Sequence, residues 1–261
     1  MANKLTTWWQ NRKDKSKLDD QSMQKGVSLI TVSDPKSTIA EQFRTIRTNI
    51  QFSQVDDQLR TLSFTSSGPS EGKSTVSANI AVTFADQGMK TLLIDADMRR
   101  PTIHQTFQIP NRKGLTTILT SSKNDYDSVI VKTKVANLSV MPSGPVPPNP
   151  SELLNTHKMD QIIEELSEQY DLIIFDAPPV GSVTDAQIIG TKVDGSILVV
   201  PQGIALKGAV LQAKDALDSV HARIIGTIMN RVSRKNGTGY YGGYYGGYYG
   251  GYYGKNEDKK N

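Results

Sequence analysis

Cysteine is missing from the whole 261-residue chain. That excludes disulfides, thiolate zinc centres and thiolate-held iron–sulfur clusters, and points to a reducing, cytosolic setting. Long apolar runs are missing too: nothing approaches the roughly 18 residues that would span a bilayer. The first residues are polar and charged where a secretory signal would carry an apolar core, so the chain is expected neither to cross nor to leave through a membrane unaided. Histidine is scarce, and His104, His157 and His221 show no metal-ligand spacing; they read as surface or polar fillers. Aromatics are few in the body of the chain, because eight of the ten tyrosines lie between Tyr240 and Tyr253.

The formal charge of +4 is unevenly spread. Residues 1–26 hold Lys4, Arg12, Lys13, Lys15, Lys17 and Lys25 against Asp14, Asp19 and Asp20, a net +3. The remainder is nearly neutral, which argues against a nucleic-acid-binding surface. The leader reads as a flexible basic end whose Trp8 and Trp9 could touch a membrane or a partner.

Between the two ends, residues 27–232 read as one α/β domain. The spacing Ile39, Phe43, Ile46, Ile50 predicts a helix with one apolar stripe. Strands are expected at Leu62–Thr65, Thr91–Ile94, Leu138–Met141, Leu172–Phe175, Ile197–Val200 and Ile224–Met229. Helical patterns separate them: Val76, Ile80 and Phe84 ending at Gly88, and Leu153, Leu154, Ile162, Ile163 and Leu166 after a Ser151 cap. Alternation of this kind predicts a mostly parallel sheet with helices on both faces and ligands beyond the carboxyl ends of its strands. The proline-rich run Pro142–Pro150 is expected to be an exposed, stiff loop. Residues 233–261, with repeated Tyr-Tyr-Gly-Gly units, are expected to stay disordered, since glycine-rich backbone loses much entropy on ordering and nothing aliphatic is there to bury.

Three strand ends carry phosphate chemistry. Ser67-Gly68-Pro69-Ser70-Glu71-Gly72-Lys73-Ser74-Thr75, set between a strand and a helix, is a P-loop: its amides and the helix N-terminus wrap phosphates, Lys73 neutralises the β and γ oxygens, and the Ser74 hydroxyl ligates Mg²⁺. It departs from the usual pattern in having Ser67 where the first glycine stands. Asp95-Ala96-Asp97-Met98-Arg99 ends a second strand with two carboxylates suited to holding a metal or accepting a proton. Asp176 ends a third aliphatic strand, the Walker B layout. A mobile row of phenols tethered to such a site reads as a phosphoryl acceptor attached to its own kinase.

With these motifs in place, residues 35–253 resemble the bacterial tyrosine kinases of capsule and exopolysaccharide systems, in their stand-alone cytoplasmic form. The resemblance rests on the P-loop, on Asp95, Asp97 and Arg99 in the family's Walker A′ motif, on the Asp176 strand, on Pro-Pro-Asn-Pro-Ser-Glu-Leu-Leu at 147–154, and on the tyrosine tail. Glu41, Arg44 and Arg47 resemble the family's oligomerisation motif, and Asn230-Arg231 its adenine-side contact. The resemblance implies a P-loop NTPase fold and MgATP-dependent phosphorylation of Tyr240, Tyr241, Tyr244, Tyr245, Tyr248, Tyr249, Tyr252 and Tyr253 between subunits of a ring. Lys73, Asp95, Asp97, Arg99 and Asp176 form the implied catalytic set, with Ser74, Asp95 and Asp176 around the metal and Asp95 or Asp97 as the base. It also implies a membrane-spanning adaptor that completes the ATP site, a cognate tyrosine phosphatase, a place at the inner face of the cell membrane and control of polysaccharide synthesis and export. Two other readings compete: a partitioning or division ATPase switch, and a tail that is merely a self-associating repeat.

Overall fold

The structure, a computed structural model of the chain, describes residues 21–53 and 59–232. The expectations for the leader and for the tyrosine tail lie outside the described residues. Every element below belongs to a unit ending at Asn230; from Arg231 onward the chain is a separate unit.

Seven strands form one sheet: β1 (Thr61–Ser66), β2 (Thr91–Asp95), β3 (Val131–Lys132), β4 (Leu138–Met141), β5 (Leu172–Asp176), β6 (Gly195–Pro201) and β7 (Ile224–Asn230), in the order β3-β4-β2-β5-β1-β6-β7. All neighbours pair parallel except β3 with β4. β3 has no counterpart among the expected strands, because two residues at a sheet edge leave no periodic signal. The principal helices are α1 (Thr38–Phe52), α2 (Lys73–Ala85), α3 (Pro150–Leu154), α4 (His157–Ser167), α5 (Asp185–Gly190) and α6 (Lys207–Ser219).

Alternation along the strands divides the core in two. Leu92 and Ile94 of β2 and Ile173 and Phe175 of β5 pack on one face with Leu154, Ile162, Ile189 and Leu217 from α3, α4, α5 and α6. Leu93 and Ile174, facing the other way, pack with Phe43 of α1 and Val76, Ile80 and Phe84 of α2. The inner strands β1, β2, β4 and β5 are buried on both faces, so they read as largely apolar runs, whereas the edge strand β7 is half exposed. β1 and β5 are buried at every position, which places the loops that follow them at the middle of the sheet.

Three local expectations change. Ile39 is 52% exposed, and the buried stripe of α1 starts at Ala40 and continues through Phe43 and Ile50. The predicted helix over Leu153–Leu166 is two helices, broken at Asn155–Thr156, where the Thr156 hydroxyl turns back to donate to the Leu153 carbonyl at 2.7 Å. Asn149 stands in the cap position and Pro150 opens α3, where its missing N–H costs nothing; Ser151 is thus inside the helix. The proline-rich run is exposed only in part. Pro142, Ser143 and Gly144 are buried, and the carbonyls of Pro142 and Ser143 each accept an N–H at 2.9 Å, from Leu115 and Thr116.

A buried amide ties the N-terminal segment to α2. Asn79 Oδ1 accepts from the Thr31 N–H (3.1 Å) and hydroxyl (2.9 Å), while its Nδ2 donates to the Ser28 and Thr75 carbonyls, both at 2.8 Å. Replacing Asn79 by alanine strands several buried polar groups at once. Asn79→Ala is expected to lower the unfolding free energy by about 2–4 kcal/mol, read from urea denaturation.

Candidate active site

The ends of β1, β2 and β5 lie side by side, and their register fixes which groups meet. Asp95 and Asp176 are direct partners on β2 and β5. The loop leaving β5 is sewn to β1: Ala177 N–H donates to Phe64 O at 2.9 Å, Val180 N–H to Ser66 O at 2.9 Å, and the Thr65 hydroxyl to Pro178 O at 2.6 Å. Gly181 passes so close that a Cβ there would sit 2.5 Å from the Ser67 carbonyl.

Within the P-loop, Ser70 (φ 60°) and Gly72 (φ 94°) take left-handed backbone, the kind of turn that aims successive N–H groups inward. Ser67 does more than fill a glycine's place. Its hydroxyl donates to Glu71 Oε2 at 2.8 Å, clasping the loop across its mouth. Asn230, the last residue of β7, donates to the Glu71 carbonyl at 3.2 Å. Arg231 belongs to the separate unit that follows.

Lys73 and Ser74 open α2 and are both buried. The Lys73 ammonium lies 2.9 Å from Asp97 Oδ2 and 3.5 Å from Asp176 Oδ2, and donates to Ser74 Oγ at 3.2 Å. Burial alone would depress its pKa; Asp176, Asp97 and Asp95 outweigh that and hold it above the ordinary lysine value. Asp97 has a partner on each oxygen, its Oδ1 accepting the Arg100 N–H at 3.0 Å. Asp95 Oδ2 accepts the Thr102 and Ile103 N–H groups at 3.1 and 3.0 Å, while its Oδ1 is buried without a hydrogen-bond partner. Asp176 Oδ1 accepts from the Ser77 hydroxyl at 3.2 Å, and its Oδ2 has no hydrogen bond. Burial, then neighbouring Asp176 and Asp97, push the Asp95 carboxyl well above the usual range. Asp176 is also raised by burial, against the opposing pull of Lys73 and of hydrogen bonds from Ser74 and Ser77.

Two buried carboxylate oxygens without hydrogen bonds, beside a buried ammonium and a serine hydroxyl, suit a hard divalent cation that brings its own water and phosphate ligands. Among the described residues no three His, Cys, Asp or Glu side chains form a ready-made metal cage, in keeping with the way Mg²⁺ relies on substrate oxygens.

The remaining candidates sit apart from this cluster or just outside it. Arg99 turns to Asp185 at the start of α5, with Nε 2.9 Å from Oδ2 and Nη2 3.2 Å from Oδ1, and Nη2 also donates to Ser151 Oγ at 3.2 Å. Glu41 and Arg44 pair along one face of α1, and Arg44 also donates to the Pro35 carbonyl at 2.7 Å. Arg47 reaches across to the Thr83 carbonyl of α2 at 2.9 Å. The sequence reading had no place for Ser77 or Asp185, and took Ser151 only as a helix cap and as part of the 147–154 motif. Ser77 had a usable signal, standing three residues beyond Ser74 on the same helix; Asp185 had none, and nothing linked Ser151 to Arg99, since the two meet only through the fold.

Residues 59–224 match the family model described as AAA domain. Over 82% of its length this chain is 46% identical to the tyrosine-protein kinase YwqD of Bacillus subtilis, covering 91% of that protein. The chain belongs to the tyrosine-protein kinase family. Among solved structures, the chimerical protein CapA2B2 superposes with a TM-score of 0.75 at 39% identity, covering 79% of this chain and 90% of that one. The kinase domain of the Escherichia coli tyrosine kinase ETK gives a TM-score of 0.75 at 34% identity, covering 79% and 81%. The septum site-determining protein MinD of Pyrococcus horikoshii, complexed with Mg-ADP, is more distant: TM-score 0.58 and 26% identity over 67% of this chain and 71% of that one. These likenesses decide for a protein-tyrosine kinase over a partitioning or division ATPase. They place the kinase in a fold that binds nucleotide together with Mg²⁺.

Two substitutions probe the site. Gly72→Ala would put a Cβ 2.1 Å from Asn230 Nδ2 on backbone at φ 94°; it is expected to weaken Mg-nucleotide binding in calorimetry by about 10-fold or more. Asp95→Asn tests the stored electrostatic cost. A carboxyl with a raised native pKa binds its proton more tightly folded than unfolded, so its contribution to stability is complete below the ordinary carboxylate range and is lost as pH rises through the raised value. At neutral pH the asparagine variant is therefore expected to be more stable by about 1–2 kcal/mol, with the gap closing toward about pH 4, while kinase activity falls. Denaturant midpoints across pH measure it.

Proposed function

We propose that the kinase transfers the γ-phosphoryl group of MgATP to its own tyrosines, Tyr240, Tyr241, Tyr244, Tyr245, Tyr248, Tyr249, Tyr252 and Tyr253, between copies of the chain. The observation that carries this reading is the buried Lys73 held between Asp97 and Asp176 where the P-loop meets the ends of β2 and β5. The loop from Gly68 to Thr75 and Asn230 hold the nucleotide, with Lys73 moving from Asp97 to the phosphate oxygens. Ser74 and Asp176 would hold Mg²⁺, with Asp95 meeting it through one of its waters, and the ion would supply positive charge to the phosphates.

Asp95 is the base. Asp95 keeps Oδ1 unpartnered and is fixed by two backbone N–H groups on the other side, which hold that oxygen in place with or without nucleotide. A tyrosine hydroxyl titrates near pH 10, so a carboxylate with a raised pKa is a better matched acceptor than an ordinary one. The phenolic oxygen bonds to the γ-phosphorus, the bond to the ADP oxygen breaks, and the phenolic proton passes to Asp95 Oδ1.

The kinase assembles as a ring through Glu41, Arg44 and Arg47 of α1. A membrane-spanning adaptor completes the nucleotide site and draws the kinase to the inner face of the cell membrane, where it regulates capsule or exopolysaccharide synthesis and export; a cognate phosphatase resets it. The chimerical CapA2B2 neighbour supports a partner chain by being a fusion. Among the described residues no helix is long and apolar enough to cross a membrane. Eight tail phosphates would add roughly −12 to −16 charges per chain, enough to loosen the ring by repulsion.

Mass spectrometry of protein incubated with MgATP tests the transfer. Phosphate is expected on the tail tyrosines, and Lys73→Met is expected to cut labelling by about 100-fold or more. ATP consumption with every tail tyrosine bare would overturn the proposal. Light scattering on the labelled protein and on a tail with every tyrosine replaced by phenylalanine tests the assembly: the labelled form is expected to be smaller.

A further inference from the structure

Asp185 is a fully buried carboxylate outside the phosphate cluster, and its surroundings define it closely. Arg99 grips both of its oxygens, and the Ser151 hydroxyl donates to Oδ1 at 2.5 Å. The three residues come from three places: Arg99 from the turn after β2, two positions beyond Asp97; Ser151 from α3; and Asp185 from the start of α5, at the far end of the loop that leaves Asp176. The Arg99–Asp185 pair therefore joins the two loops that continue from the register partners Asp95 and Asp176. Arg99 is held charged chiefly by its hydrogen bond to Asp185, and it feels Asp97 as well.

We infer that Asp185, acting through Arg99 and braced by Ser151, is a positioning residue for phosphoryl transfer: it sets the turn that carries Asp97, and through it the spacing between the Asp95 and Asp176 carboxylates. This rests on the reading of those carboxylates as the metal and proton-transfer groups. The clasp is a second tie between the loops at this end of β2 and β5, beside the Lys73 ammonium that bridges Asp97 and Asp176. A carboxylate pair meant to share one small cation must be held to a fraction of an ångström, and outer partners that orient the ligands commonly contribute 10- to 100-fold to metal affinity or activity. A purely structural ion pair would need no such place beside the metal-facing loops. The guanidinium is also unsuited to holding phosphate while it is engaged on both carboxylate oxygens.

The test uses the full-length kinase and four variants: Asp185→Asn, Arg99→Lys, Arg99→Ala and the double Arg99→Ala/Asp185→Ala. Measured are kcat and KM for ATP in tail labelling, the Mg²⁺ dependence of ADP binding by calorimetry, and the thermal unfolding midpoint without nucleotide. The single variants are expected to lose about 10- to 100-fold in kcat with KM for ATP changed by less than about threefold, and to need more Mg²⁺ for half-maximal ADP binding. The double variant, which leaves no buried charge behind, is expected to unfold at a higher temperature than Arg99→Ala yet to regain none of its kcat. Recovery of kcat along with stability would overturn the inference, leaving only a structural brace. A rise in KM with kcat unchanged would overturn it differently, by putting Arg99 on the nucleotide. Should Asp185→Asn fail to fold, Arg99→Lys carries the same comparison. Failure of the kinase reading itself is separate: the unmodified protein would then show no tail label, while the Mg²⁺ dependence of ADP binding would still judge the clasp.

Discussion

One ammonium buried among three carboxylates constrains everything around it. Lys73 could not be so enclosed without Asp97 and Asp176 within ion-pair distance, and those acids could not be buried without Lys73. Each comes from a separate strand end, so the cluster exists only if the strands are adjacent and in register. The parallel sheet supplies this: β5 lies between β1 and β2, placing the P-loop on one side of Asp176 and the Asp95–Asp97 turn on the other.

The cluster is an electrostatic compromise. Three acids share one ammonium, and burial first, then the crowding of the acids, raises the Asp95 and Asp176 carboxyls. Such an arrangement weakens the protein on its own and favours the ligand that relieves it, which is how a phosphate-and-magnesium site gains affinity. Two aliphatic cores, one on each face of the sheet, offset this cost. Fixed backbone donors do the rest, since the Thr102 and Ile103 N–H groups keep Asp95 in place whatever its charge.

Much of the fold was legible because the inner strands, buried on both faces, leave largely apolar runs, and because helices such as α2 follow a glycine-containing loop. The misreadings have local causes. Ile39 kept the helical spacing, yet α1 turns it to solvent, since the partner surface begins at Ala40. The break at Asn155–Thr156 was hidden because apolar residues on both sides keep a helical spacing. The buried start of the proline-rich run had no signal at all, for its carbonyls are wanted by the Leu115 and Thr116 amides far away in sequence. Within the site, the motif residues could be named from the chain, but Asp95 and Asp97 could not be told apart. Their hydrogen-bond partners, Thr102, Ile103 and Arg100 for the backbone and Lys73 for the side chain, distinguish them.

By itself the sequence determined the chemical kinds present and their attachment to strand ends: a phosphate-wrapping loop, three acids, and a row of phenols following the last strand. Those are properties of neighbours along the chain, where spacing and residue type suffice. Tertiary structure alone decided which oxygens are satisfied, which are not, and that Arg99 answers to Asp185 instead of to the phosphate loop. Side-chain pairing across loops depends on strand order and register, and these arise from packing two faces of a sheet at once, a condition that no single segment carries.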